Sequence, residues 1–544
     1  MATGTPRASA VVDAGRRRGA RMRARDAIIE RFERWCDAFG IVVDRGVVGI
    51  ECVSNSAADE DDDDDVAGCF RVVAKARIDA RTTLAVIPKA AVFTTATSRL
   101  RRDVGDGVLD ALGEVGLVCA VAYERRFVED GSSPFSAYFA MIPQREDLPQ
   151  FWVDDDDDAR RTVLRGTSVD ILLEEDVARV ESDWMEAVET LDASSWLTLD
   201  AFRDAASVVA SRAFFVDEQL GQGLMPFADL FNHLSGGAHF HVVGASTKTK
   251  TNAEEDAIRL ESCREISAGD EIYNSFGDDH DNAMLLYKYG FAERTNVVRS
   301  IQFPDDFWNA SNQSTDFHAI AYFYEWLNEN YGGIEFEIDE DGGLSRGLLT
   351  ALCMASKDDD EWLEYEPQAD DSSSEEDEEA KTEEQQLKEG RFRSCVSECM
   401  DEEATSSSEL LAEIKPELLF TIFAERFQYY CADEISSAGP SELLVSILDD
   451  VRACLASSES SPGSVAVGGG VCGLSAAYLL RAQELSLLST ALVRACFDDD
   501  DDDQEASDDE TCDDVNDAHA RKKPKVLVAT PAYNPTVYLH KPSA

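Results

Sequence analysis

With 544 residues, 44% of them apolar, the chain is long enough for two or three domains with real hydrophobic cores. Asp and Glu number 108 against 50 Lys and Arg, and this net charge of −58 argues against direct nucleic-acid binding, because phosphate contacts need clustered Lys and Arg. No run of about 18 apolar residues free of charge and glycine exists, which excludes a membrane span, and the thirteen cysteines are scattered, with no secretory signal before them, which points to reduced intracellular thiols.

In chain order, residues 1–25 form an Arg-rich stretch with one acid, Asp13, which reads as a basic disordered tail or an organelle transit peptide. Ile28, Phe32, Trp35 and Phe39 fall at helical spacing, so the first ordered element is a helix over Asp26 to Phe39, stopped by Gly40. Ile41 to Ile50 and Arg71 to Phe93 read as short strands rich in Val and Ile, with Pro88 at a turn. The acid run Asp59 to Asp65 is a loop between them. From Ser98 to Val216 the periodicity is helical, interrupted by Asp154 to Asp158. The aromatic pairs Tyr138-Phe139 and Phe151-Trp152 suit helix packing better than a substrate channel.

The stretch from Leu224 to Phe291 carries the chemistry. Apolar residues flank the pair Asn232-His233, and Gly269-Asp270 marks a tight turn before an alternating strand from Glu271 to Phe276. Beyond it, helical patterns run over Glu409 to Tyr430 and Leu474 to Phe497, separated from the body by an acidic Ser-rich linker around Asp370 to Glu384. The acidic tract Asp498 to Asp514 and the basic cluster Arg521-Lys522-Lys523-Pro524-Lys525 close the chain as a disordered tail, the cluster resembling a nuclear localisation signal.

Four motifs in order, SRAF at Ser211–Phe214, PFADLFNH, GDEIYNSFG and NAMLLYKYGF, resemble the C-terminal half of a SET domain. The branch is that of the plant Rubisco large-subunit methyltransferase and of the ribosomal-protein and other non-histone lysine methyltransferases. Leu164-Arg165-Gly166-Thr167 is also similar to the subgroup that methylates nuclear and ribosomal proteins. The resemblance implies an α+β chain: a SET-domain β-fold split by a helical insert, followed by an all-α substrate-binding domain. The corresponding boundaries are a basic tail at 1–25, a helix and the first SET part at 26–97, the insert at 98–215, the second SET part at 216–300, helices at 310–497 with an acidic linker near 367–390, and a tail at 498–544.

It further implies an S-adenosyl-L-methionine-dependent protein-lysine N-methyltransferase. Asn232 and His233 would hold the adenine and amino-acid ends of the cofactor, Arg212 would pair with its carboxylate, and Asp229 would bind it or brace the loop. Tyr289 would line the lysine site with its hydroxyl. Two departures stand out. Family members carry a tyrosine where this chain has Phe276, and a Gly-x-Gly turn where it has Cys69, Phe70 and Arg71, although a one-residue shift would bring Gly68 to that turn. An active enzyme leaning on Tyr289, a slow enzyme and a binding-only scaffold all remain open.

The acidity suits a basic, lysine-containing protein partner, and solubility alone explains it equally well. The expected state is a monomer in the nucleus or cytoplasm, with the plastid as a further option. Two rival readings are weaker. Gly468, Gly470 and Gly473 have the spacing of a flavin fingerprint but almost no chain follows, so a linker and helix fit better. His239 and His241 share a strand face, as metal ligands would, without a carboxylate at short spacing.

Overall fold

The computed structural model describes residues 24–52, 70–152, 159–243, 257–277, 280–296, 300–303, 327, 336–356, 393–401, 404–431, 439–460 and 471–496. Gly68 and Cys69, the acid runs, residues 1–23 of the Arg-rich stretch, the Arg521–Lys525 cluster, the linker near 367–390, and Gly468 and Gly470 lie outside the described residues. One compact unit spans Met1–Asp498; a second, Asp499–Ala544, falls wholly outside them.

The first helix covers residues 24–38. Its apolar side stacks Phe32 on Trp35 and Trp35 on Phe39, with centroids 5.9 and 4.4 Å apart. It ends where expected: Gly40 takes φ +76°, free of the steric cost a side chain would bring, and the Ile41 amide closes onto the Cys36 carbonyl.

Twelve short strands follow among the described residues. β1 (Val42–Val43), β4 (Thr83–Pro88), β8 (Ala257–Ser262) and β7 (Phe240–Val243) form an antiparallel sheet in that spatial order. Four two-stranded ribbons accompany it: β2 (Val48–Cys52) with β3 (Phe70–Ala74), β5 (Ala213–Asp217) with β6 (Gly221–Leu224), β10 (Ser300–Gln302) with β11 (Glu337–Asp339), and β9 (Phe291–Ala292) with β12 (Val471–Cys472). Isolated bridges fasten these pieces together, among them Val73 to Glu271, Ile78 to Ile266, and a parallel one from His233 to Asn274. Burial differs sharply among these strands: β3 and β4 are mostly buried, whereas β7 buries only Phe240 and leaves Val242 and Val243 exposed.

The helices from Arg99 to Arg212 interrupt this β-structure. They leave after β4, and the chain later returns to lay β8 against that same strand. The insert is therefore covered by the β-structure's own core: Phe135, Tyr138 and Phe139 are buried with Phe32, Phe93 and Phe231. Tyr138, Phe139 and Trp152 are packed in cores as their composition suggested, and Phe151 is half-buried.

Two expectations need correction. Glu271 to Phe276 is not a continuous strand; only Glu271 and Asn274 make bridges, because the segment crosses β3 and the Asn232–Leu234 turn in succession instead of lying along one partner. The pattern from Glu409 to Tyr430 is two helices, Ser407–Glu413 and Pro416–Tyr430. Pro416 has no amide hydrogen to continue the first helix and sits at the start of the second, where that hydrogen is not needed.

The C-terminal helices Arg346–Ser356, Ser407–Glu413, Pro416–Tyr430, Pro440–Ser460 and Gly473–Cys496 build a core of their own. A third core ties the last of them to Trp152, Leu164 and Leu173 of the insert and to Leu286. At this junction Gly166 has φ +75°, and an added Cβ would lie 2.5 Å from the Tyr429 carbonyl. The fully buried Arg426 donates to the carbonyls of Gly166 (3.0 Å) and Gln302 (3.3 Å). Glu484 accepts from the Ser168 amide (3.0 Å) and the Tyr430 hydroxyl (2.9 Å). The Leu164–Thr167 motif is thus a docking turn for the C-terminal helices.

Candidate active site

Arg212 ends the helix Leu199–Arg212, which the Thr198 side chain caps and which runs straight into β5. Its guanidinium is already engaged: Nε donates to Glu146 Oε1 at 2.5 Å and Nη1 to the Asp229 carbonyl at 3.1 Å. Burial pulls its pKa down, but the Glu146 and Asp229 carboxylates outweigh burial and hold it above the ordinary arginine value. Glu146 had no sequence signal, since it lies 66 residues away in an irregular segment.

Asp229 faces the same cluster. Burial pushes its carboxyl up to about 6, against the opposing pull of Arg212 and of the hydrogen bond that Tyr138 donates to Oδ2 at 2.6 Å. Its other oxygen, Oδ1, is buried with no hydrogen-bond partner. The turn that presents it is strained: Phe227, just before the 3-10 turn Ala228–Leu230, holds φ +77°, a conformation that costs a side-chain-bearing residue about 1–3 kcal/mol.

Asn232 and His233 follow. The Asn274 amide donates to the Asn232 carbonyl (2.8 Å), and the Leu234 amide to the Asn274 carbonyl (3.0 Å), so this turn and the Glu271–Phe276 segment cross as a parallel bridge. His233 is buried; its Nδ1 accepts from the Phe276 amide at 2.9 Å. An acceptor at Nδ1 puts the ring proton on Nε2, which lies 2.9 Å from Ser235 Oγ.

Phe276 then packs on Tyr289 at 4.6 Å and on His233 at 5.1 Å between centroids. Phe291, missed by sequence reasoning, completes the wall at 5.9 Å from His233 and 6.4 Å from both Tyr289 and Phe276. Tyr289 is half-buried, burial keeps its phenol above the ordinary value, and its hydroxyl makes no hydrogen bond among the described residues. Tyr273 points elsewhere, its hydroxyl on Glu271 at 3.2 Å and its ring 5.5 Å from His239, so it does not stand in for the absent hydroxyl at Phe276.

The structure therefore pairs Arg212 with Asp229 and brings Asn232, His233, Phe276 and Tyr289 together in a second group, the two joined by the short stretch of chain from Asp229 to Asn232. Gly68 lies outside the described residues. Of the residues aligned with the Gly-x-Gly turn, Phe70 buries its ring in the core, and Arg71 sits opposite Glu51 in the β2–β3 register, ion-paired with it at 2.8 Å. Among the described residues no group of three or more His, Cys, Asp or Glu is placed to hold a metal ion. His239 accepts the Tyr273 amide through Nδ1. Val471–Cys472, ahead of Gly473, pairs antiparallel with β9, unlike the parallel strand of a flavin fingerprint.

No family model matches the chain. It is 27% identical over 286 residues to the mouse (Mus musculus) N-lysine methyltransferase SETD6, covering 48% of this chain and 54% of that one. The chain thus spans about half the length of such curated relatives. Its fold matches the SET domain of LSMT bound to lysine and AdoHcy (TM-score 0.51, 15% identity, 87% of this chain and 90% of that one). It also matches Rubisco LSMT bound to AdoMet (TM-score 0.51, 18% identity, 86% and 90%). The fold is accordingly α+β, a split SET fold, and by sequence the chain is a relative of the SETD6-like N-lysine methyltransferases.

Proposed function

We propose that the chain is an S-adenosyl-L-methionine-dependent protein-lysine N-methyltransferase acting on a non-histone, basic protein. The observation that carries this reading is the crossing of the Asn232–Leu234 turn with Asn274–Phe276, which stacks Phe276 against Tyr289, while Ser211, next to Arg212, donates a hydrogen bond to the carbonyl of Lys288, next to Tyr289. The donor set fits the cofactor. Asp229 Oδ1 is a buried acceptor without a partner, and Arg212 is cationic. Arg212 with Asn232 and His233 would hold it; Asp229 would brace the turn or contact it directly.

The bound cofactor supplies an electrophilic methyl group on a sulfonium. The chain itself must present a neutral lysine amine to it. An ammonium has no lone pair, and walls of Phe276, Tyr289 and Phe291 that exclude water disfavour the charged form, lowering the lysine pKa in the required direction. The same faces attract the cation on entry. The Tyr289 hydroxyl, kept protonated by burial, accepts a hydrogen bond from the amine and aims its lone pair.

A second reading rests on Phe276, whose ring keeps the wall but has no hydroxyl: a catalytically weak or inactive scaffold that binds the same ligands. The expected state is a monomer in nucleus or cytoplasm, with the plastid as an alternative. Incubation with methyl-labelled S-adenosylmethionine and a cell lysate, followed by mass spectrometry of labelled bands, tests the enzyme reading. Label on lysine supports it; cofactor binding without transfer leaves the scaffold.

A further inference from the structure

We propose that Glu271, backed by Arg71, is a positioning residue that locks the Asn232 carboxamide with its oxygen toward the cofactor, so that the site selects a ligand bearing a free amino group. The inference rests on the methyltransferase reading above.

Asn232 Nδ2 donates to Glu271 Oε1 at 2.7 Å and reaches the Phe70 carbonyl at 3.4 Å. Both acceptors therefore lie on the nitrogen side of the amide. Turning the amide over would set Oδ1 against a carboxylate and a carbonyl, so one orientation is enforced. Oδ1 is left without a hydrogen-bond partner among the described residues, and what it offers to a ligand is an acceptor only.

Glu271 is itself held in place. It is 9% exposed, and Oε2 receives the Tyr273 hydroxyl at 3.2 Å with Arg71 Nη1 at 3.8 Å. Arg71 is in turn fixed on β3 by Glu51, its cross-strand neighbour. The arginine that stands where the family has a glycine thus gains a role: burial raises the Glu271 pKa, and the hydrogen bonds from Asn232 and Tyr273, with the charge of Arg71 at 3.8 Å, oppose that rise. An ionised carboxylate can only accept, so it holds the amide nitrogen, and the polarity of the site follows from it.

The test compares binding of S-adenosylhomocysteine with that of its counterpart lacking the α-amino group, by calorimetry, in the full chain and in Glu271→Gln. The unmodified chain is expected to prefer the amino-bearing ligand by roughly tenfold or more, as a charge-assisted hydrogen bond provides. In Glu271→Gln the replacing amide donates as well as accepts, Asn232 turns over freely, and the preference shrinks to about threefold or less while the deamino ligand binds as before. Equal loss of both ligands would mark Glu271 as merely structural and overturn the proposal, as would an unchanged preference. An unmodified chain that binds neither ligand overturns the methyltransferase reading and this inference with it. Should Glu271→Gln not fold by circular dichroism, the same ratio is read in Arg71→Met, which leaves the carboxylate present; a narrowed preference supports the proposal and an unchanged one refutes it.

Discussion

Ser211 donates its hydroxyl hydrogen bond to the carbonyl of Lys288. The residue before Arg212 is thereby fastened to the residue before Tyr289, and the two elements that carry the charged and the aromatic halves of the site cannot slide past one another. Replacing Ser211 by Ala should cost about 1 kcal/mol of stability and lower methyl transfer by more than that fraction of unfolded protein explains. Denaturant melts alongside initial rates would measure both; a rate that merely tracks stability would refute the link.

Restoring the hydroxyl at position 276 should help. Phe276→Tyr is expected to raise turnover by roughly thirtyfold or more, and Tyr289→Phe to lower it by a similar or larger factor, in keeping with the ~2–4 kcal/mol that one oriented transition-state hydrogen bond can supply. Steady-state rates on a lysine-rich substrate would decide, with circular dichroism showing that both variants fold. A Tyr289→Phe variant as fast as the unmodified protein would remove Tyr289 from the mechanism.

Arg212→Met should destabilise the fold by about 3 kcal/mol, because it leaves the half-buried Glu146 and the enclosed Asp229 carboxylate without their cation. Adding Glu146→Leu should recover part of that loss if the orphaned charge is its source. Urea unfolding of the single and double variants gives the answer; a double variant no better than the single one would point to lost packing instead.

Gly166→Ala should unfasten the C-terminal helices. A side chain there meets the Tyr429 carbonyl at 2.5 Å and the Tyr430 nitrogen at 2.8 Å, on a backbone at φ +75°. A loss of about 2 kcal/mol or more is expected, with proteolysis between the insert and the C-terminal helices becoming faster. Unchanged protease resistance would contradict the docking role.

Glu484 sets a pH dependence. Burial pushes its carboxyl up from 4.5 to about 6, against the opposing influence of Arg426 and the Ser168 and Tyr430 hydrogen bonds. The folded state therefore binds this proton more tightly than the unfolded one. Its stabilising contribution is complete below pH 4.5 and is lost as pH rises through about 6. Relative to Glu484→Gln, the unmodified chain should lose about 2 kcal/mol between pH 4 and pH 7. Melts across that range would show the two stabilities diverging; parallel curves would exclude Glu484 as the source.

Contiguous residues were enough to establish the order of the parts: the first helix with its Gly40 stop, Asn232-His233 ahead of the Gly269 turn, and Tyr289 beyond it. Spacing, caps and turn chemistry leave a readable trace in such stretches. The break at Pro416 is written in the sequence, since a proline ends a helical pattern, whereas the crossing at Asn274 that interrupts Glu271–Phe276 is geometry that periodicity does not register. Which groups charge and orient the site depends on the folded chain alone. Glu146 meets Arg212 across 66 residues, Tyr138 meets Asp229 across 91, and Glu271 meets Asn232 across 39. A hydrogen bond closed over such a distance repeats with no period, and a buried carboxylate is written in the chain with the same letter as a solvated one.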